Sequence, residues 1–177
     1  VPQDMGAAER GNVMEKHHVV PTLQQIYGFE NCLYMYDDQD TLFFGLSSAT
    51  PDGLIVNQPL DVFAADGLGS IEADCFACEI KSFDPRAHIE EEKAIHRGQA
   101  MMQLGMYRQL SDYKPEYAVV LYVNASIYTD VRPFFIKWDE KLFHAGLARA
   151  RKLFDTKDPY ELLAEGALTD QCKHCPY

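Results

Sequence analysis

Asp74-Cys75-Phe76-Ala77-Cys78-Glu79-Ile80-Lys81-Ser82-Phe83 is the stretch on which the fold turns. It holds neither Pro nor Gly and is mostly apolar, which favours an extended strand. Side chains alternate along a strand, so Glu79 and Lys81 leave by one face while Ile80 enters the core by the other. A carboxylate and an ammonium on a buried strand are unfavourable unless they are paired or used. Taken alone, Glu-x-Lys reads as an ordinary edge-strand ion pair. Its neighbours give it a second reading.

Downstream, Ala94–Leu110 reads as a helix rich in Met, Gln and Leu that ends before Pro115. Tyr117–Ser126 is an apolar run of the buried-strand type, Val131–Trp138 is a further strand, and Lys141–Phe154 and Pro159–Glu165 read as helices. Upstream, Met5–Val19 reads as a helix that Pro21 breaks or restarts before Thr22–Tyr27. Thr41–Ala49, the turn residues Pro51-Asp52-Gly53 and the run Leu54–Val56 form a hairpin-like pattern. Asn57–Ala73, with Pro59, Gly67 and Gly69, reads as a loop. Helix, strands, helix, strands, helix predicts one α/β domain over 1–177, a mixed sheet flanked by helices.

Composition narrows the function. The chain has 177 residues, 47% of them hydrophobic, enough for one real core. A formal net charge of −11 argues against a broad surface that grips phosphates, although a carboxylate-rich cation site suits an acidic chain. No apolar run is long enough to span a bilayer and no charged-then-apolar leader is present, so a membrane-free, cytoplasmic location is expected. Five unevenly spaced cysteines fit a reducing compartment better than a disulfide framework.

Pro51-Asp52 … Glu79-Ile80-Lys81 resembles the signature of the PD-(D/E)xK nuclease superfamily. Alone, Asp52 before Gly53 is a plain turn pair. Together, two carboxylates and a lysine in this order can gather one hard cation and a water. Gly11-Asn12-Val13-Met14-Glu15 resembles the Gly-x-x-x-Glu element of RecB-like and lambda-type exonucleases, and Gln103-Leu104-Gly105-Met106-Tyr107 resembles the Gln-x-x-x-Tyr element of the RecB-like branch. In both, a spacing of four stacks the pair on one helix face, with Gln99 and His96 near the second. Twenty-six residues separate Asp52 from Glu79, more than is usual for that family, and the 57–73 loop accounts for the excess. Gly105 in mid-helix is unfavourable by about 1 kcal/mol relative to Ala, which points to close packing there.

The resemblance implies a restriction-endonuclease-like fold and a site in which Glu15, Asp52 and Glu79, with the Ile80 carbonyl and His18, hold Mg²⁺ or Mn²⁺. Lys81 would position the attacking water, and Gln103 and Tyr107 would support it. It implies an exonuclease acting on DNA ends in recombination, repair or phage DNA processing; an endonuclease and a non-catalytic DNA-binding or assembly subunit share the fold. A homo-oligomer or a recombination partner protein is compatible with it. Arg86, Lys93 and Arg97 are the candidate DNA contacts, with Lys141, Arg149, Arg151 and Lys152 on the late helix, although solvated helix faces carry such residues too.

Cys172-Lys173-His174-Cys175 resembles the C-terminal cysteine element of RecB-like exonucleases that carry a [4Fe–4S] cluster, for which four thiolates are needed. That family's first cluster cysteine precedes the opening helix, where this sequence has none, and Cys32 does not match it. Cys75-x-x-Cys78 with Cys172-x-x-Cys175 could in principle make a Cys₄ zinc site. A strand over 74–83 opposes this, since it sends Cys75 and Cys78 to opposite faces. They read as small packing residues.

Overall fold

The computed structural model describes residues 6–59 and 73–157. The expected helix Pro159–Glu165, Cys172 and Cys175, and most of the 57–73 loop lie outside them.

The chain opens with α1 (Gly6–Met14), a π-helical turn over Glu15–Val19, and α2 (Val20–Tyr27). Pro21 does not interrupt the rod as expected. It stands in the first turn of α2, where a proline is tolerated, and the i→i+5 turn before it relieves the clash that a proline ring makes with the fourth carbonyl upstream. The Val20 N–H closes that wide turn on the Glu15 carbonyl.

The strands are β1 (Cys32–Leu33), β2 (Leu42–Phe44), β3 (Ser47–Ala49), β4 (Gly53–Val56), β5 (Cys75–Phe83), β6 (Tyr117–Asn124) and β7 (Val131–Lys137). Helix α3 (Ala94–Leu110) links β5 to β6, and α4 (Glu140–Asp155) follows β7. Five strands form the main sheet in the order β1-β4-β5-β6-β7. Only β5 and β6 are parallel, as a helical crossover between them requires; the other neighbours are antiparallel. Pro133 is placed in β7, an edge strand, where its missing N–H matters least. The hairpin differs from expectation: β2 and β3 pair with each other inside 42–49, while β4 leaves them to join the main sheet.

Two cores lie on the two faces of this sheet. Met14, Val19, Val20, Leu23 and Tyr27 from the opening rod cover Ile55, Phe76, Cys78, Ile80, Val119 and Leu121. Ala100, Met101, Leu104 and Tyr107 of α3, with Phe143 of α4, cover Leu54, Ala77, Val120 and Tyr122. The architecture is thus an α/β sandwich with a mixed sheet. At Gly105 an added Cβ would run into the Phe143 ring, and at Gly146 into Met102, so the two glycines let α3 and α4 cross closely. Cys78 is buried on the α1 side and the half-buried Cys75 lies on the α3 side, which removes the turn that a shared metal knuckle would need. Burial raises both thiol pKa values.

Candidate active site

Strand β4 is shorter than its neighbour. Its register runs from Gly53 opposite Cys78 to Val56 opposite Cys75, so β5 continues past it with no strand partner among the described residues on that edge. Asp52, the residue just before β4, fills the gap: its Oδ2 accepts the Ile80 N–H at 2.6 Å. A side chain thereby takes over one ladder bond. In an extended strand a residue's N–H and C=O point to the same edge, so the Ile80 carbonyl shares the side on which Asp52 sits.

Glu79 is fully buried on the α3 face. Its Oε2 accepts from Gln103 Nε2, and its Oε1 faces the Lys81 ammonium. The pair that sequence places on one face therefore forms a real ion pair, with Lys81 still about one quarter exposed. Glu15, at the start of the π-helical turn, reaches the same place from the other side. Gln39 Nε2 donates to Glu15 Oε1 at 3.1 Å and to Asp52 Oδ1 at 3.4 Å, tying the two together.

Electrostatics agree with this convergence. Burial, then repulsion from Glu79, pushes the Asp52 carboxyl up to about 7, with the Ile80 N–H opposing. Burial and Glu79 also raise Glu15. Three carboxylates against one ammonium leave an excess of two negative charges when all are ionised, a surplus that a divalent cation would neutralise. The donor set is hard oxygen, suited to Mg²⁺ or Mn²⁺. As the side chains stand, no three His, Cys, Asp or Glu among the described residues surround a point where an ion would sit. Four of their oxygens accept N–H donors and Glu79 Oε1 faces the Lys81 ammonium, so an ion seated there would displace Gln39 and Lys81.

Other expected residues are placed as follows. His18 is a correction: the wide turn carries it away from Glu15, and its ring packs on Tyr128 at 4.2 Å between centroids, with no ion pair to any of the three carboxylates. Tyr107 is buried beside Tyr34, and its hydroxyl has no partner among the described residues; it supports the core around the site without touching the carboxylates. The Arg86 guanidinium is held by Asp84 at 2.7 Å and Arg97 by Glu92, while Lys93 is exposed with no ion pair among the described residues. Arg151 on α4 is paired with Asp155. Gln39 escaped the sequence reading, since a lone glutamine in an acidic turn has no motif to announce it.

The fold defines the class: an α/β protein with a five-stranded mixed sheet and a carboxylate cluster where its fourth strand stops short. No family model and no curated protein matches the chain. Among solved structures, one named "Crystal structure of SSO0001" is similar at 15% identity and a TM-score of 0.49, over 85% of this chain and 61% of that one. The chain thus spans about three fifths of that protein's length.

Proposed function

We propose that this chain is a metal-dependent deoxyribonuclease of the PD-(D/E)xK superfamily, in its RecB-like or lambda-type exonuclease branch, with a restriction-endonuclease-like sheet. One observation carries the reading: Glu15 and Asp52, each distant in sequence from the Glu79–Lys81 pair, meet it in a single cluster at the open edge of β5. Salt pairs that serve only stability do not need three carboxylates around one lysine, and such crowding is typical of functional sites.

The reaction is hydrolysis of a phosphodiester. A water oxygen forms a new bond to phosphorus, the ester P–O bond breaks, and the leaving oxygen takes up a proton. Asp52, Glu79 and Glu15, with the Ile80 carbonyl, are the residues that would hold Mg²⁺ or Mn²⁺. When bound, such an ion supplies a lowered pKa for water and neutralises charge on the phosphate. The chain's own groups do the rest. The Ile80 N–H fixes Asp52, Gln103 fixes Glu79, and Gln39 holds Glu15 until the cluster opens. Lys81, freed from Glu79, orients the attacking water and offsets charge that grows on the phosphate oxygens.

Incubation with end-labelled single- and double-stranded DNA, with Mg²⁺, Mn²⁺ or EDTA, tests this. Cleavage that needs the metal and releases nucleotides from ends is expected. Cleavage inside circular DNA would favour an endonuclease. Absence of any cleavage would favour the second reading, a DNA-binding or assembly subunit on the same fold, which has one observation behind it: among the described residues no three His, Cys, Asp or Glu are set around an ion position.

A further inference from the structure

Lys81 and Tyr122 are register partners on the parallel strands β5 and β6, so their side chains leave the sheet together on the α3 face. The Tyr122 hydroxyl is buried and sits at a junction. It accepts the Lys93 N–H at 3.0 Å and lies 2.7 Å from His96 Nδ1. A phenol has one proton to give, and among the described residues His96 Nδ1 is the acceptor in reach. With the phenol donating, Nδ1 is the bare nitrogen and the neutral ring carries its proton on Nε2. Nε2 makes no bond to any described residue, and the ring is half-buried.

The surroundings of that N–H are anion-seeking. His96 belongs to the first turn of α3, which has no acidic residue and no side-chain cap, so the Ala94 and Ile95 N–H groups at the positive end of the helix dipole meet no side-chain acceptor among the described residues. Lys81 and Lys93 both stand close enough to His96 to act on it electrostatically. The glutamates just upstream are partly engaged elsewhere, Glu92 by Arg97 and Glu90 by His88, and Glu91 is exposed. Burial and the two lysines hold the ring's pKa down to about 4, so it works at neutral pH as a hydrogen-bond donor rather than a cation.

We propose that His96 is a substrate contact of this site, donating from Nε2 to a phosphate oxygen of the strand held at Lys81, with Tyr122 as the positioning residue that sets its tautomer. The inference rests on the nuclease reading and adds a donor outside the carboxylate cluster. It gives the exposed end of α3 a part in choosing where the phosphate lies. Arg86 and Arg97 are less suited to that part, because each already answers an acidic neighbour.

The test uses the full chain with end-labelled DNA in Mn²⁺, together with ¹⁵N-histidine NMR at pH 7. His96→Ala is expected to lower kcat/KM by about 10- to 100-fold, the usual worth of one charge-assisted hydrogen bond, with melting temperature little changed. His96→Gln, whose amide can reach the position of Nε2, should restore most of the loss, and His96→Asn should not. In NMR, His96 is expected to show the Nε2–H tautomer, and Tyr122→Phe to disperse it while lowering kcat/KM. Wild-type cleavage with undiminished His96→Ala activity overturns the inference alone, as does an Nδ1–H ring or an imidazolium at pH 7. A wild-type protein that cleaves nothing overturns the nuclease reading, and this inference with it.

Discussion

Asp52 serves two partners at once. One oxygen completes the hydrogen bonding of β5, and the other faces Gln39 and the remaining carboxylates. Burial and repulsion from Glu79 outweigh the Ile80 N–H and make the ionisation of Asp52 unfavourable in the folded chain without a cation. The folded carboxyl titrates near 7 against about 3.9 in an unfolded chain, so the native state binds this proton more tightly. The stability it contributes is fully present below about pH 4 and is lost as pH rises through 7. In EDTA the wild-type protein is therefore expected to be less stable at pH 8 than at pH 5, and Asp52→Asn to flatten that slope and gain on the order of 2–4 kcal/mol at pH 8. Urea titrations at the two pH values measure it; equal slopes for both proteins would remove the account. Activity should move the other way. Glu79→Gln and Lys81→Ala are each expected to reduce DNA cleavage by at least about 100-fold while circular dichroism stays native. Full activity of Lys81→Ala in both metals would show that the lysine is only a counter-ion for Glu79.

Elements set these residues in place, and they were unequally legible in the sequence. Asp74–Phe83, Tyr117–Ser126 and Ala94–Leu110 could be read because each is a long run with one period and clear breakers, and each is seen within a residue or two of its expected bounds. The two-residue β1 and three-residue β2 and β3 are too short to carry a period, so which strand pairs with which was open until the fold itself was in view. Glu15, Asp52 and Glu79 were legible through the order of their motifs. Gln39 was not, and His18 was misread because the helix it sits on was assumed to keep an even pitch. Gly105 was read correctly as a packing residue: Phe143 occupies the space that its side chain would need. Gly105→Ala should accordingly destabilise by about 1–3 kcal/mol through overpacking, even though alanine is the better helix former. A thermal melt that rises on this substitution would mean that α3 and α4 separate easily.

For the whole molecule, the balance of charge bears on the proposed function, since it sets how a cation and a nucleic acid would be met. A chain of net −11 repels a polyanion at long range, and the few cations near the site must act at short range. Binding to DNA is then expected to depend only shallowly on salt, unlike that of a protein covered in basic residues. The same excess negative charge draws divalent ions. Saturating Mn²⁺ should raise the melting temperature, by the equivalent of about 2.7 kcal/mol when the ion stands at a hundred times its dissociation constant. Glu79→Gln should abolish the rise. A shift that survives in this variant would place the ion elsewhere. Among the described residues no helix is long and apolar enough to cross a membrane.

The widened turn at Glu15–Val19 has one more consequence. It works as a phase shifter in a continuous rod. An even helix that turned Val20, Leu23 and Tyr27 inward would fix the azimuth of every upstream side chain as well. The added wide turn uncouples the two halves, so the upstream half can be rotated to aim an acidic group at the end of the sheet while the downstream half seals oil. Removing a single residue there would leave the rod helical and point its acid at nothing.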